Sequence, residues 1–296
     1  MPDTVVSVRR ASSGKVSSAL SIILVVYFVG RILEVLPLST PSTPIVALEI
    51  LSALAFAIVH GAQHYGLRGI LAFAGICLVI GNALENLSVL TGFPFGHYEF
   101  LSLMGPKLFH VPILLGIAYI GMAYVSWTLA CLIAGSTGGL AKRSQLLTIP
   151  LLAGLIMTAW DLAQDPVWST LLHAWRWRDG GLWFGVPLTN FAGWLLTVSL
   201  IYFAFALYLC GIFNRRTELA QPHWRAGVGF YAFCALGNIL QMLRPQRAAV
   251  VADPTGTLWQ SATILRASAF VSVFGMGIFV LLAWFRAGRS HTTATD

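Results

Sequence analysis

Asn82, Glu85 and Asn86 stand at spacings of three and four residues, so in a helix they project from one face. Asp161 and Asp165 stand one helical turn apart. Both groups interrupt apolar runs, and carboxylates or amides near hydrocarbon are expensive enough to be functional-site candidates by default. Two carboxyl groups facing a third across an apolar cavity can share protons. One of them then stays a carboxylic acid at neutral pH and can serve as a general acid. The bland alternative is interhelical hydrogen bonding that holds a bundle together. For Asp165, which precedes Pro166, a turn or capping role is equally natural.

Aromatic residues crowd the same two stretches: Phe93, Phe95 and Tyr98 in the first, then Trp160, Trp168, Trp175, Trp177, Trp183, Phe184 and Trp194. An interfacial belt accounts for most of them, Trp175 and Trp177 above all. The sharper reading is that a few rings line a site where positive charge develops, since ring faces stabilise a desolvated cation.

The elements that carry these residues are membrane helices. Of 296 residues 57% are hydrophobic and 10% charged, against about 25% charged in a soluble domain, and the mean hydropathy is +0.78. Candidate spans fall near 18–38, 44–60, 69–90, 109–134, 146–165, 187–213, 226–243 and 262–285, too long and unbroken for barrel strands. The expected fold is an all-α, polytopic transmembrane bundle of about eight spans, or seven if the short second one fails. It reads as a single integral membrane domain over 1–296, with flexible cytoplasmic tails at 1–17 and 287–296 and a flexible Gly/Ser/Thr-rich turn at 135–139. The first span lacks a cleavage site and is read as a retained helix.

Two spans separate the loop after residue 90 from the loop after residue 165, so both polar-aromatic blocks share one side of the membrane. With both termini inside, inner segments hold Arg9, Arg10, Lys15, Arg68, Lys142, Arg143, Arg215, Arg216, Arg225, Arg286 and Arg289. Outer segments hold only Lys107, Arg176, Arg178, Arg244 and Arg247. This satisfies the positive-inside rule for a multi-pass protein of the plasma membrane. The net charge of +7 is therefore topological, and no nucleic-acid partner is expected. Glu34, Glu49, Glu85 and Asp161 all fall in the outer half, pointing to one polar cavity beneath the outer leaflet.

Other polar residues weigh differently. Arg31 and Glu34, at i and i+3, read as a buried ion pair with Glu49 as an alternative partner. His60 and His64 share a helical face on the side opposite the carboxylates, and this single pair does not suffice for a metal centre. His97 and His110 stand nearer the cavity as hydrogen-bond partners. The three lysines lie outside the spans, which excludes a retinal Schiff base. The four cysteines lie within spans as packing residues. No phosphate-binding glycine loop, nucleophile elbow or dinucleotide fingerprint is present.

Taken in order, Glu85…Thr91-Gly92-Phe93-Pro94-Phe95-Gly96-His97-Tyr98…Gly105-Pro106-Lys107-Leu108-Phe109, then Asp161-Leu162…Asp165-Pro166, Trp175…Trp177 and Gly185-Val186-Pro187-Leu188…Asn190-Phe191…Gly193-Trp194, these blocks resemble the carotenoid-biosynthesis membrane proteins. That family includes the bisanhydrobacterioruberin and γ-carotene hydratases. The likeness covers roughly residues 80 to 195. It implies hydration of the terminal trisubstituted double bond of an acyclic carotenoid to a tertiary alcohol, without cofactor or metal. Such a reaction needs a proton donor, rings to hold a tertiary cation, and a positioned water. Glu85 or Asp161 is then the donor and the other its partner, with Asp165, Asn86 and Asn190 as water or hydrogen-bond positions. Phe93, Phe95, Tyr98, Trp160, Trp183, Phe184 and Trp194 would surround the substrate. Expected partners are the lipophilic carotenoid, membrane lipids and other enzymes of the pathway. A magnesium-dependent prenyltransferase, reading Asp161-x-x-x-Asp165 as a diphosphate motif, and a proton-coupled lipid or small-molecule transporter are the competing readings.

Overall fold

In hydrocarbon a backbone satisfies its own polar groups best as a helix, and apolar runs of about twenty residues are long enough to cross. The computed structural model describes residues 2–36, 43–136, 143–212, 224–244 and 248–292. Seven of its helices are long and apolar enough to span a membrane. They are α1 (Pro2–Leu33), α2 (Thr43–Thr91), α3 (Ile113–Ile133), α4 (Gln145–Pro166), α5 (Leu188–Ile212), α6 (Trp224–Leu240) and α7 (Ser261–Val271). The last continues through a π-turn at Ser272–Met276 into α8 (Gly277–Thr292).

Helix α2 is two crossings joined by a sharp reversal. Its 49 residues would extend roughly 70 Å if straight, more than twice a hydrocarbon core of about 30 Å. Gly66, at φ 69° and ψ 167°, breaks the helix in a conformation that glycine adopts without a Cβ penalty. A Cβ on Gly121 of α3 would lie 2.6 Å from the Cβ of Ala53, and one on Gly81 would lie 3.5 Å from the Tyr119 ring. Residues 53 and 81 would be roughly 40 Å apart along a straight helix, whereas 119 and 121 are about 3 Å apart. The limbs 43–65 and 67–91 therefore run antiparallel, and the described residues make eight crossings.

Helix α3 is the central stave, with every residue from Tyr119 to Leu132 buried. Small residues set its neighbours close, as between membrane helices generally. The loops on the face away from Gly66 carry all six described short strands. Strand β1 (Tyr98–Phe100) pairs antiparallel with β4 (Trp175–Trp177), β2 (Lys107–Leu108) with β3 (Val111–Pro112), and β5 (Val250–Ala252) with β6 (Leu258–Gln260). The β1–β4 pairing joins the two polar-aromatic blocks on one side, as the even number of intervening crossings requires.

Helix α1 begins at Pro2 and α8 runs as far as Thr292. Polarity there removes a packing face, but no proline follows Pro2 to stop the helix, and Pro2 occupies the first helical position, where its missing N–H costs nothing. One expectation needs correction: the fifth crossing does not end at Asp165, because it passes through Pro166 into a π-turn at Val167–Leu171. Residues 137–139 of the expected turn, together with Lys142, Arg215, Arg216 and Arg247, lie outside the described residues.

Candidate active site

Three carboxyl groups converge where α2, α4 and α5 meet beneath the β1–β4 ribbon. Asn190, at the start of α5, donates from its amide nitrogen to Asp161 Oδ2 at 2.9 Å and to Asp165 Oδ2 at 2.7 Å. Asp165 Oδ1 accepts from the indole nitrogens of Trp175 at 3.0 Å and Trp177 at 3.1 Å. Glu85 is held by two phenols: Tyr119 donates to Oε1 at 2.5 Å, and Tyr98 donates to Oε2. Burial, then the adjacent Glu85 charge, holds the Tyr98 phenol well above the usual tyrosine value, which keeps it a donor. All three acids are buried, Asp161 to 4% exposure.

The three acids differ in what remains open on them. Both oxygens of Glu85 and both of Asp165 accept hydrogen bonds from protein donors. Asp161 has one oxygen bonded to Asn190, while Oδ1 takes no bond from any described residue. An acceptor-filled carboxyl is suited to carrying charge, and an open one to exchanging a proton.

The ribbon follows from strand periodicity. Alternate residues point to opposite faces, so Tyr98 and Phe100 lie opposite Trp177 and Trp175 on the buried face. Glu99 and Arg176 point outward with Arg178, and both cations lie 3.6 Å from Glu99. Trp175 and Trp177 are therefore donors to Asp165 rather than members of an interfacial belt.

Pro166 explains another tryptophan. Inside a helix a proline has no N–H to give the carbonyl four residues back, here that of Leu162. Trp183 Nε1 donates to that oxygen at 3.0 Å. The next residue, Phe184, sits at φ 53° and packs its ring 5.0 Å from Trp183 and 5.4 Å from Trp259. These contacts place both residues beside α4 and Trp259.

Two adjoining cavities open on the acids. The smaller is lined by Glu85, Asp161, Asp165 and Asn190 among the rings of Phe95, Tyr98, Phe100, Trp175, Trp177 and Trp194. The larger is mostly apolar, with Met104, Leu115, Met122 and Met157 beside Tyr27, Tyr119, Trp160, Trp168 and Trp194. Leu115, Asp161, Asp165, Trp175 and Trp194 belong to both and form the wall between them. Gln164 faces the larger cavity, its carbonyl oxygen fixed at 2.8 Å by the Trp168 indole.

Of the residues singled out in the sequence, Glu85, Asp161, Asp165, Phe95, Tyr98, Trp160, Asn190 and Trp194 line one or both cavities. Asn86, Phe93, Trp183 and Phe184 line neither. Asn86 donates to the Asn82 carbonyl and accepts from the His110 backbone N–H, which pins the β2–β3 hairpin. Phe93 is 58% exposed. His97 is likewise turned outward, to Asp179 at 3.0 Å. Trp168, named among the aromatic residues of the second block, lines the larger cavity, whereas Tyr119 and Gln164 were missed. Gln164 carried a signal, since it lies three residues from Asp161 and hence on the same helical face.

Arg31 meets both of its prospective partners, with Nη1 2.8 Å from Glu34 and 3.2 Å from Glu49, and it also donates to Asn238 at 2.8 Å. Gln241 completes the group by donating to Glu34 at 2.7 Å. The cluster ties α1 to α2 and α6, and Glu49 reaches the rim of the larger cavity. His60 bonds the Tyr124 phenol at 2.7 Å, and His64 packs its ring 5.0 Å from Trp224.

Residues 45–252 match the family described as carotenoid biosynthesis protein. The match spans more than half of the chain and includes every acid of the site, so the chain belongs to that family of multi-pass membrane proteins. Its role is in carotenoid biosynthesis. No curated protein and no solved structure matches the chain.

Proposed function

We propose that this protein is a carotenoid hydratase that adds water across the terminal trisubstituted double bond of an acyclic carotenoid end group. The observation that carries the proposal is the open oxygen of Asp161, set in the wall between an apolar chamber and a pocket lined with polar groups. The isoprenoid end occupies the larger cavity and the reacting water the smaller one.

Asp161 holds the proton of the aspartate pair, because Asp165 accepts from three N–H groups and is suited to the charged form. The Asp161 O–H bond breaks and its proton joins the less substituted alkene carbon. The π electrons form the new C–H bond and leave a tertiary cation. The faces of Trp160, Trp194 and Tyr119 and the fixed negative charge of Asp165 and Glu85 stabilise that cation in a water-poor site. Water attacks the cationic carbon, and the oxonium proton returns to Asp161, restoring the starting state. Atoms and charge balance with water as the sole co-reactant.

Asp161-x-x-x-Asp165 is poorly suited to magnesium diphosphate. Indole and amide donors occupy the Asp165 oxygens that the ion would need, and among the described residues no lysine or arginine lines either cavity. The charge asymmetry of the loops supports a plasma-membrane orientation with both termini cytoplasmic, which puts the site beneath the outer leaflet. Purified protein in lipid, given a lycopene-type substrate, should yield an alcohol heavier by one water. Unchanged pigment with every acyclic end group tried would overturn the proposal.

A further inference from the structure

We propose that the wall shared by the two cavities is a binding site for lipophilic quaternary and tertiary ammonium ions. The inference deepens the hydration reading and rests on it for its meaning, since a trimethylammonium group has the charge and about the size of a tertiary cation, but it is argued from the wall itself. Asp161 is buried and presents an oxygen with no bond from a described residue. Asp165 lies beside it, sharing the Asn190 amide. The Trp194 ring is stacked on Tyr119 at 4.9 Å and 10° and meets Trp160 edge-on at 6.4 Å and 77°. Trp194 and Trp160, nearly perpendicular, form two sides of a cage of the kind that holds quaternary ammonium groups, and Tyr119 backs Trp194. Among the described residues no lysine, arginine or histidine lines either cavity, so none of them repels a cation at the wall. The remainder of the larger chamber is apolar and accepts the ligand's hydrocarbon tail.

A neutral alkane of the same shape would gain the apolar contacts and none of the charge. The comparison therefore uses two probes, a geranyl chain ending in trimethylammonium and the same chain ending in tert-butyl. They are titrated into the full-length protein in zwitterionic nanodiscs, with empty nanodiscs subtracted and intrinsic tryptophan fluorescence as the signal. The cationic probe should bind at least about ten-fold more tightly than its neutral isostere. The bound cation displaces the Asp161 proton and leaves a carboxylate beside it, as proton transfer to the alkene does, and asparagine has no such proton to lose; that preference should therefore shrink several-fold in Asp161→Asn, and it should shrink also in Trp194→Leu should the first variant fold poorly. Equal affinities in the wild type would overturn the inference, as would a preference undiminished in both variants, which would move the cation elsewhere. Hydration assayed on the same preparations separates the two ideas. Preference without turnover retains this site and removes the hydratase reading, while turnover without preference does the reverse.

Discussion

Replacing Asp161 by Asn removes the exchangeable proton and little else. The carboxamide keeps an oxygen to accept the Asn190 bond now made at 2.9 Å, so folding stability should change by about 1 kcal/mol or less. A positioned general acid contributes about 10² to 10⁴ in rate, equivalent to about 2.7–5.4 kcal/mol of barrier. Turnover should fall by that factor. The neighbouring change Asp165→Asn should behave in the opposite way. Asp165 accepts two indole N–H groups at one oxygen and the Asn190 amide at the other. An asparagine there offers one acceptor and turns an NH₂ against a donor. Each buried donor left without a partner costs about 1–3 kcal/mol, so this variant should lose thermal stability as well as activity. The assay pairs hydration in nanodiscs, followed by pigment mass, with thermal unfolding of each variant. An Asp161→Asn protein that keeps its turnover within ten-fold of wild type would refute the assignment of the donor. One that is as unstable as Asp165→Asn would refute the hydrogen-bond argument behind it.

Other outcomes follow from the same contacts. Tyr98→Phe and Tyr119→Phe each remove one of the two phenols on Glu85, and each should destabilise the fold by about 1.5–3 kcal/mol, the range for a bond to a charged group. An unshifted melting temperature in the double variant would contradict the clamp. Trp183→Phe orphans the Leu162 carbonyl that Pro166 leaves open. It should cost about 1–3 kcal/mol and speed hydrogen exchange over 167–171, while activity per folded molecule stays near wild type. Loss of activity at unchanged stability would make Trp183 a substrate contact instead. Asp253, in the loop before α7, is pushed up by burial, but hydrogen bonds from Thr255, Trp259 and the Thr257 backbone outweigh this and hold its carboxyl below the usual range. Its contribution to holding the β5–β6 hairpin is therefore complete above the ordinary aspartate value of about 3.9 and lost as pH falls through the lower folded value. Trp259 fluorescence should report hairpin release only in that acid window, and release near neutral pH would contradict the sign.

The helices were legible because twenty-residue apolar runs have few other fates, and the break between 60 and 69 already marked the reversal at Gly66. The helices run on through the polar ends of α1 and α8, since a polar composition argues against packing but does not itself stop a helix. At the site, Glu85, Asp161, Asp165 and Asn190 stood out because each is costly where it lies. Trp183 and Phe184 line neither cavity, since an aromatic residue in a dense block serves a helix backbone as readily as a ligand. Tyr119 was hidden for a related reason: inside an apolar helix a phenol resembles packing until its partner is known. The spacing of Trp175 and Trp177 did hold the answer, for two residues along a strand place both indoles on one face, over Asp165.

The central claim is that one proton and one hydroxyl from water are added to an alkene at the Asp161 wall. The most direct measurement is turnover of an acyclic carotenoid by the wild-type protein in deuterium oxide enriched in oxygen-18, with the product analysed by mass and carbon-13 NMR. The account predicts one oxygen-18 on the tertiary carbon and one non-exchangeable deuterium on the carbon beside it. An oxygen drawn from any source other than water, or a product without that deuterium, would contradict it.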